Sequence, residues 1–298
     1  MKLNENIRYD LIKYALSDYR LCFDYKKGDN LNYILCKNII EKAHICIYRQ
    51  YNKKDNIPNN SLNQLINYVI SEIIIDDEFY INGKNQILDI IHLHNIGMTD
   101  SIENVSYGDY FDLFECCRLF IDMQQAKQNR NADNHDNDIA NDSFIFEKTV
   151  NKVAEELYGK KNVRHLLSGI QDIGQALKSD TVINIGDTYR VYDAKFYGTS
   201  LVYYSHGHIT YRHQHNRYEM NGYIDQLRYN KQDSNINIKG IIIHAVDTDK
   251  YNELNHRTMN IGNNKIYLEL VDITTSADDI IQQIKTIMQY YNFKASEE

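Results

Sequence analysis

The sequence predicts an α+β (α/β) protein in which a mainly helical N-terminal region precedes a mixed sheet flanked by helices. Up to about residue 125, apolar residues recur at the three- and four-residue spacing of amphipathic helices. From about residue 144, helical stripes alternate with short runs of strand-like composition. The stretch between them is rich in Asn and Asp. We therefore predict a helical region over 1–126, a polar linker over 127–143 and a second domain over 144–298.

The N-terminal region contains three apolar stripes with helical spacing. They run from Tyr33 to Ile47, from Leu62 to Ile73 and from Phe111 to Met123. Pro58, the single proline of the chain, lies between the first two stripes. Because proline lacks the N–H that a helix interior needs, it marks a break between two helices.

The second domain begins with a helix whose apolar stripe runs from Phe146 to Leu157. Strands over 181–185 and 189–197 follow, joined by a Gly186–Asp187 turn that favours a tight hairpin. The order then continues with a strand over 200–204, a His- and Arg-rich loop, a helix over 220–229, strands over 239–246 and 265–273, and a final helix. Ser276 and Asp279 form a capping-box pattern at the start of that last helix.

Composition excludes several classes of protein. Hydrophobic residues make up 43% of the 298 residues and charged residues 25%, which is ordinary for a globular protein. No apolar run approaches the roughly 20 residues of a membrane span, and the N-terminus lacks the apolar core of a signal peptide. The five cysteines show neither CxxC nor zinc-ligand spacing, which indicates reduced thiols and a cytoplasmic protein. The net charge of −8 argues against a polycationic nucleic-acid coat but permits a local basic groove.

Charged residues in the predicted hairpin form a candidate catalytic site. Strand alternation places Asp193 and Lys195 side by side on one face, and the hairpin brings Asp180 toward them. Glu147 lies at the border of the apolar stripe of the preceding helix and points toward the same site. Carboxylates with a backbone carbonyl make the hard-oxygen site that Mg²⁺ prefers, and a neighbouring lysine can orient a water. These residues predict hydrolysis of phosphate esters.

Together these residues resemble the PD-(D/E)XK nuclease superfamily. Asp180, then Asp193-Ala194-Lys195 after a strand, turn and strand, with Glu147 on the preceding helix, carry the resemblance. More narrowly, Phe146-Glu147, Asp193 to Tyr197 and Gln226 to Tyr229 are similar to the nuclease module of LlaJI-type restriction endonucleases and McrC subunits. The resemblance covers about residues 144 to 250. It implies a restriction-endonuclease-like mixed sheet flanked by helices and a metal-dependent endodeoxyribonuclease of a restriction or anti-phage defence system.

The resemblance also implies a role for each residue. Asp180, Asp193 and the Ala194 carbonyl would bind Mg²⁺, for which Mn²⁺ can substitute, and Glu147 would support the metal. Lys195 would position the attacking water, and Gln226 would brace the site from the following helix. The chain departs from the family pattern at Ser179, which replaces a proline, and at Gly222 and Asp225, which replace an acidic residue and a lysine before the glutamine.

The implied partners are double-stranded DNA and a nucleotide-hydrolysing (McrB-like) subunit, because the chain has no G-x-x-x-x-G-K-[ST] phosphate loop. A double-strand cut further implies a homodimer, a hetero-oligomer or sequential nicks, and the helical region would serve target recognition or partner docking. Phosphate contacts are expected from Arg212 and Arg217 in the His-rich segment 205–217 and from Lys160, Lys161 and Arg164 after the Glu147 helix.

Three alternatives stay open on the sequence alone. The four histidines between residues 206 and 215 are compatible with a zinc site or with a plain solvated loop, as well as with a mobile loop at the mouth of the active site. Lys160, Lys161 and Arg164 equally suit a solvated turn. The whole domain is also compatible with a nuclease-fold subunit that binds nucleic acid or scaffolds a complex without cleaving it.

Overall fold

The computed structural model describes residues 2–17, 26–54, 56–102, 105–128, 137–164, 181–185, 188–196, 202–205, 208–211, 215–231, 236–247 and 256–293. The chain divides into two compact units, one formed by Leu16–His135 and the other by Met1–Ala15 together with Asp136–Glu298. The described part of the first unit is helical, whereas the second combines helices with a mixed sheet. The predicted α+β class is therefore confirmed.

The described helices are α1 (Glu5–Ala15), α2 (Leu31–Lys54), α3 (Ser61–Glu72), α4 (Glu78–Leu93), α5 (Phe111–Gln128), α6 (Asn137–Tyr158), α7 (His215–Lys231) and α8 (Ala277–Phe293). The described strands are β1 (Val163–Arg164), β2 (Thr181–Ile185), β3 (Thr188–Lys195), β4 (Val202–Ser205), β5 (His208–Tyr211), β6 (Asn237–Val246), β7 (Arg257–Ile261) and β8 (Asn264–Asp272). No helix in these ranges is long and apolar enough to cross a membrane.

The helical unit packs α2, α3, α4 and α5 around an aliphatic core that includes Leu35, Ile39, Leu65 and Val69. Helix α3 begins shortly after Pro58, where the sequence predicts a break. Asn60 caps this helix, since its side chain accepts a hydrogen bond from the backbone N–H of Asn63. The helical spacing of these residues predicted that they face the core, because positions three and four apart lie on one face of a helix.

The cysteines described in the helical unit are buried and form no disulfide among the described residues: Cys36, Cys46, Cys116 and Cys117. Burial raises the pKa of Cys46 to about 11 and that of Cys116 to about 12. The thiols of Cys46 and Cys116 therefore stay protonated near neutral pH and behave as small apolar side chains.

The first helix of the chain packs against α6 in the sheet-containing unit, although the sequence placed it in the N-terminal region. Asp142 of α6 is fully buried and accepts hydrogen bonds from Arg8 Nε at 2.6 Å and from the backbone N–H of Leu3 at 2.8 Å. Residues 137–143 are thus helical, whereas the sequence assigned them to the linker. Their polar composition suggested exposure, but pairing with Arg8 allows the carboxylate of Asp142 to be buried.

The main sheet has six strands in the order β1-β2-β3-β6-β8-β7. The β2–β3 pair is antiparallel, which confirms the predicted hairpin, although its turn residues Gly186 and Asp187 lie outside the described residues. Strands β3, β6 and β8 are parallel to one another, and the remaining pairs are antiparallel. Asp193 of β3 lies opposite Ile242 of β6, and Lys195 lies opposite His244.

Helices cover both faces of this sheet. On one face, α7 packs on a core that includes Val191, Ile242 and Leu268. Gly240 permits close contact there, because a Cβ at this position would lie 2.7 Å from Met220 Cγ. On the other face lie α6 and α8, and the Phe146 and Phe196 ring centroids are 6.1 Å apart. Central strands covered on both faces explain why β6 is a nearly continuous buried run.

The structure differs from the sequence prediction around the His- and Arg-rich segment. Residues 208–211 form β5, which pairs with β4 in a separate two-stranded sheet, and α7 already begins at His215. The sequence predicted this segment as a loop. Most of its described residues instead lie in β5 or in α7. Strands β1 and β7 were also missed, because β1 has two residues and β7 contains only two apolar residues, Met259 and Ile261.

Candidate active site

Lys195 forms the centre of the candidate site. Its Nζ lies 3.0 Å from Asp193 Oδ2 on the same strand and 3.0 Å from Glu219 Oε2 on α7. The two carboxylate oxygens are therefore no more than about 6 Å apart. The predicted pairing of Asp193 with Lys195 on one strand face is confirmed by this contact.

Strand β3 explains this arrangement. Its alternation points Val191, Asp193 and Lys195 toward α7, and Val191 anchors that face in the apolar core. Asp193 is only 1% exposed, whereas the side chain of Lys195 is 16% exposed at the carboxyl end of the strand. The site therefore combines the buried carboxylate of Asp193 with the ammonium group of Lys195, which reaches solvent.

Helix α7 supplies the second carboxylate, which the sequence analysis missed. Glu219 accepts hydrogen bonds from Lys195 Nζ and from the Tyr223 hydroxyl, each at 3.0 Å. Burial alone would raise the pKa of Glu219, but Lys195, Tyr223 and His215 favour its charged form more strongly, so its pKa lies below the ordinary value. The carboxylate is therefore ionised at neutral pH.

A signal for Glu219 was present in the sequence. It precedes Gln226 by seven residues, and residues seven apart lie on the same face of an α-helix. The predicted helix began at Met220, one residue too late to include Glu219, whereas α7 begins at His215. Gln226 lies about 10 Å farther along the helix axis than Glu219. The structure thus brings Glu219, rather than Gln226, to Lys195.

His244 is a second residue that the sequence analysis did not identify. It lies beside Lys195 in the β3–β6 register, is 1% exposed, and its Nδ1 is 3.0 Å from the Ala245 carbonyl oxygen. A lone histidine within an aliphatic strand gives no functional signal. Only the register of the parallel strands places it next to the candidate site.

Glu147 lies on α6, which packs on the face of the sheet opposite to Asp193 and Lys195. Its neighbour Phe146 packs on Phe196, the residue that follows Lys195. One turn later, Asn151 accepts a hydrogen bond from the Thr181 hydroxyl at the start of β2. Glu147 lies in the third turn of α6, so its carboxylate does not compensate the helix dipole at the N-terminus.

Some of the remaining predicted residues lie among the described residues and others do not. Asp180 and Arg212 lie outside the described residues, as does the side chain of Arg164. Lys160 and Lys161 are exposed in a short 3₁₀ helix beside the edge strand β1, and Lys160 Nζ is 3.9 Å from Glu155. Arg217 Nη2 donates to the Asn260 carbonyl at 3.5 Å. These cations are therefore spread over two regions of the unit.

The donors present suit a hard divalent cation. Asp193 and Glu219 supply two carboxylates, and Mg²⁺ is commonly held by one or two carboxylates together with water and phosphate oxygens. Within the described ranges, no three His, Cys, Asp or Glu side chains are grouped closely enough to hold a metal ion. A site with water and substrate as further ligands fits this arrangement better than a closed protein cage.

Comparison with known proteins finds no matching protein-family model and no significant match to a curated protein. The nuclease resemblance stays a prediction that rests on the motif residues.

Proposed function

We propose that the protein is a Mg²⁺-dependent DNA endonuclease of a restriction or anti-phage system and acts in the cytoplasm. The observation that carries the proposal is the Lys195 ammonium 3.0 Å from both Asp193 and Glu219 at the end of a central strand. Further support comes from the order of elements around it, in which a helix with Glu147 precedes the β2–β3 hairpin and α7 follows.

Each residue has a chemical role in this proposal. Asp193 and Glu219 hold the cation, and Asp180, Glu147 and the Ala194 carbonyl complete its surroundings. Bound Mg²⁺ would polarise the scissile phosphodiester and lower the pKa of a coordinated water. Lys195 orients the attacking water and stabilises the negative charge that develops on the phosphate. We assign bracing of Lys195 to Glu219 instead of Gln226, because Glu219 contacts it directly.

The proposed substrate is double-stranded DNA. Lys160, Lys161, Arg164, Arg212 and Arg217 would contact its phosphates and fix its position without reading sequence. We propose a nucleotide-hydrolysing partner subunit and assembly into a homodimer or hetero-oligomer, which would supply the two centres that a double-strand cut needs.

A cleavage assay on supercoiled and linear DNA tests the proposal. We expect the wild-type chain, alone or with its partner, to cut with Mg²⁺ or Mn²⁺ and to stop cutting with EDTA. Lys195→Ala and Asp193→Asn should each lower the rate at least about 100-fold, since each removes a group that acts on the reacting atoms. Full activity in either variant would disprove the proposal.

Two controls separate a lost site from a lost fold. Lys13→Ala removes an exposed lysine of α1 in the same unit and should leave cleavage unchanged. Circular dichroism must show that Lys195→Ala retains wild-type secondary structure. Lys195→Arg keeps the charge and should recover part of the rate only if the positive charge itself acts in catalysis.

A second candidate function is nucleic-acid binding or scaffolding without cleavage. It is favoured by the closed contact of Lys195 with two carboxylates, which is also the form of a purely structural ion-pair network. Calorimetry distinguishes the two functions. DNA binding with no Mg²⁺ binding, and with no change on Lys195→Ala, would favour the non-cleaving subunit.

A further inference from the structure

A recess of about 200 Å³ lies on the other face of the sheet, where β6, β7 and β8 meet the end of α8. Its walls are polar and aromatic, and the side chains that line it are those of Lys239, His256, Thr258, Lys265, Tyr267, Tyr290 and Tyr291. Strand alternation separates these residues from Asp193 and Lys195, which face α7. The recess is therefore distinct from the candidate active site.

Positive charge is concentrated at one end of the recess. Lys239 and Lys265 directly precede the paired residues Gly240 and Ile266, so they occupy neighbouring positions on adjacent strands. On the other side of Lys239 its register partner is Arg190, which is 1% exposed and has no hydrogen-bond partner for Nη1 among the described residues. Three adjacent like charges destabilise a sheet unless an anion or dipole compensates them.

The helix above this row supplies partial compensation. Arg190 Nε donates to the Tyr291 carbonyl at 3.0 Å, in the last turn of α8, where the helix dipole is negative. Lys239 is itself only 6% exposed, and Lys265 is exposed. Lys239 and Lys265 both line the recess, so an anion between them would contact two ammonium groups from neighbouring strands.

A buried carboxylate lies behind the opposite end of the recess, in contact with the lining residues His256 and Tyr291. Glu269 is 0% exposed, accepts a hydrogen bond from the Tyr291 hydroxyl, and has His256 Nδ1 2.7 Å from its Oε2. Four residues along β8 separate Glu269 from Lys265, or about 13 Å. Glu269 is thus engaged by the Tyr291 hydroxyl and by His256, and its backbone position is well separated from that of Lys265.

Aromatic rings line the space between these ends. The Tyr267 and Tyr291 centroids are 4.9 Å apart, and those of Tyr290 and His256 are 5.5 Å apart. His256 has a positive φ of 58°, a conformation that non-glycine residues rarely adopt and that the contact with Glu269 helps to hold. The recess thus offers cations at one end, flat apolar surface in the middle and an oriented imidazole at the other.

We propose that this recess binds a small phosphate-bearing ligand, with the phosphate between Lys239 and Lys265. Phosphate has several acceptor oxygens and up to two negative charges, which match two ammonium groups and the neighbouring Thr258 hydroxyl. The ligand is inorganic phosphate or a phosphate monoester, and in the monoester the organic group lies against the tyrosines. The proposal does not depend on the nuclease activity.

Calorimetry and thermal unfolding of the full chain at low ionic strength, with inorganic phosphate and separately with adenosine monophosphate, test the proposal. We expect at least one ligand to bind and to raise the unfolding temperature. Tighter binding of adenosine monophosphate than of phosphate would identify a monoester, and equal affinity would identify phosphate alone. Binding of neither ligand would overturn the proposal, as would equally strong binding of acetate.

Variants connect binding to the recess. Lys265→Gln should weaken phosphate binding about tenfold, because it removes a charge-assisted contact from an exposed position that the fold does not need. Lys239→Gln should have the same effect, and Lys13→Gln is the matched exposed control. Wild-type affinity in Lys265→Gln would overturn the proposal even if Lys239→Gln failed to fold.

Discussion

The two faces of the main sheet both hold buried charges, but they stabilise them in different ways. On the α7 face, Lys195 is shared between Asp193 and Glu219, and the side chains of Lys195 and Glu219 remain 16% and 37% exposed. On the α6 and α8 face, Arg190 and Glu269 are 1% and 0% exposed. Tyr291 anchors both of them, because its carbonyl accepts from Arg190 and its hydroxyl donates to Glu269.

The contacts that hold the charges differ between the two faces. Tyr291, a single buried residue of α8, contacts both Arg190 and Glu269, so these two charges contribute to the docking of that helix on the sheet. The charges on the α7 face pair with one another at the end of a strand, where solvent reaches the ammonium. Mutually paired charges with one partly exposed member occur both in functional sites and in structural ion-pair networks.

Loss of Lys195 should have the largest effect on stability. Lys195→Met retains the aliphatic stem but removes the ammonium that lies 3.0 Å from the buried Asp193 carboxylate. We expect the free energy of unfolding at pH 7 to fall by about 3 kcal/mol, the usual cost of breaking a buried pair from one side. Urea denaturation followed by circular dichroism measures the change.

The double variant Asp193→Asn/Lys195→Met is the control for this interpretation. It removes the charge that the single variant leaves without its ammonium, so it should recover part of the lost stability. A double variant less stable than Lys195→Met alone would show that Asp193 contributes mainly through other contacts.

Tyr291→Phe should have the next largest effect and act on the opposite face. It removes the hydroxyl that donates to the fully buried Glu269 but keeps the ring and the backbone carbonyl that accepts from Arg190. We expect a loss of about 2 kcal/mol, because a buried charged acceptor loses one of its donors. Urea denaturation checks this value, with the exposed Tyr229→Phe as the matched control.

The outcome bears directly on the comparison of the two faces. Tyr291→Phe should lower stability without altering any metal-dependent cleavage, whereas Lys195→Met should affect both. Equal loss of cleavage in both variants, with the fold intact, would remove the distinction between the faces.

Periodicity predicted the regular elements well but not their partners. The β2–β3 hairpin, β6, β8 and the Ser276 cap of α8 follow from alternation, apolar runs and the capping box, and Ser276 Oγ does accept from the Asp279 N–H at 3.1 Å. These signals are local, so they are contained in a few consecutive residues. The Arg8–Asp142 pair joins residues 134 apart in the sequence, and composition alone therefore suggested a linker.

For the candidate site, too, the sequence predicted local placement but not the partners that packing brings in. Asp193 and Lys195 share a strand face, which alternation determines directly. Glu219 contacts Lys195, and His244 lies opposite it in the register, because packing places α7 and β6 beside β3. The seven-residue spacing from Gln226 indicates the helix face of Glu219, but nothing local to His244 indicates its position. Gln226 was favoured by a motif, yet Glu219 is the residue of α7 that contacts Lys195.

The smallest expected effect is the pH dependence that Glu219 gives to the α7 face. Burial raises the pKa of Glu219, but Lys195, Tyr223 and His215 together lower it below its ordinary value of 4.5. A carboxyl whose pKa is lower in the folded state stabilises the fold above its unfolded pKa and loses that contribution as the pH falls through the folded pKa.

Denaturation of the wild type and of Glu219→Gln between pH 6 and about pH 3 measures this contribution. Because the side chain is 37% exposed, solvent screens it, and we expect the variant to be less stable than the wild type by under about 1 kcal/mol at pH 6. The difference should disappear in acid, whereas a difference that stayed constant with pH would mean that Glu219 acts through packing and not through its charge.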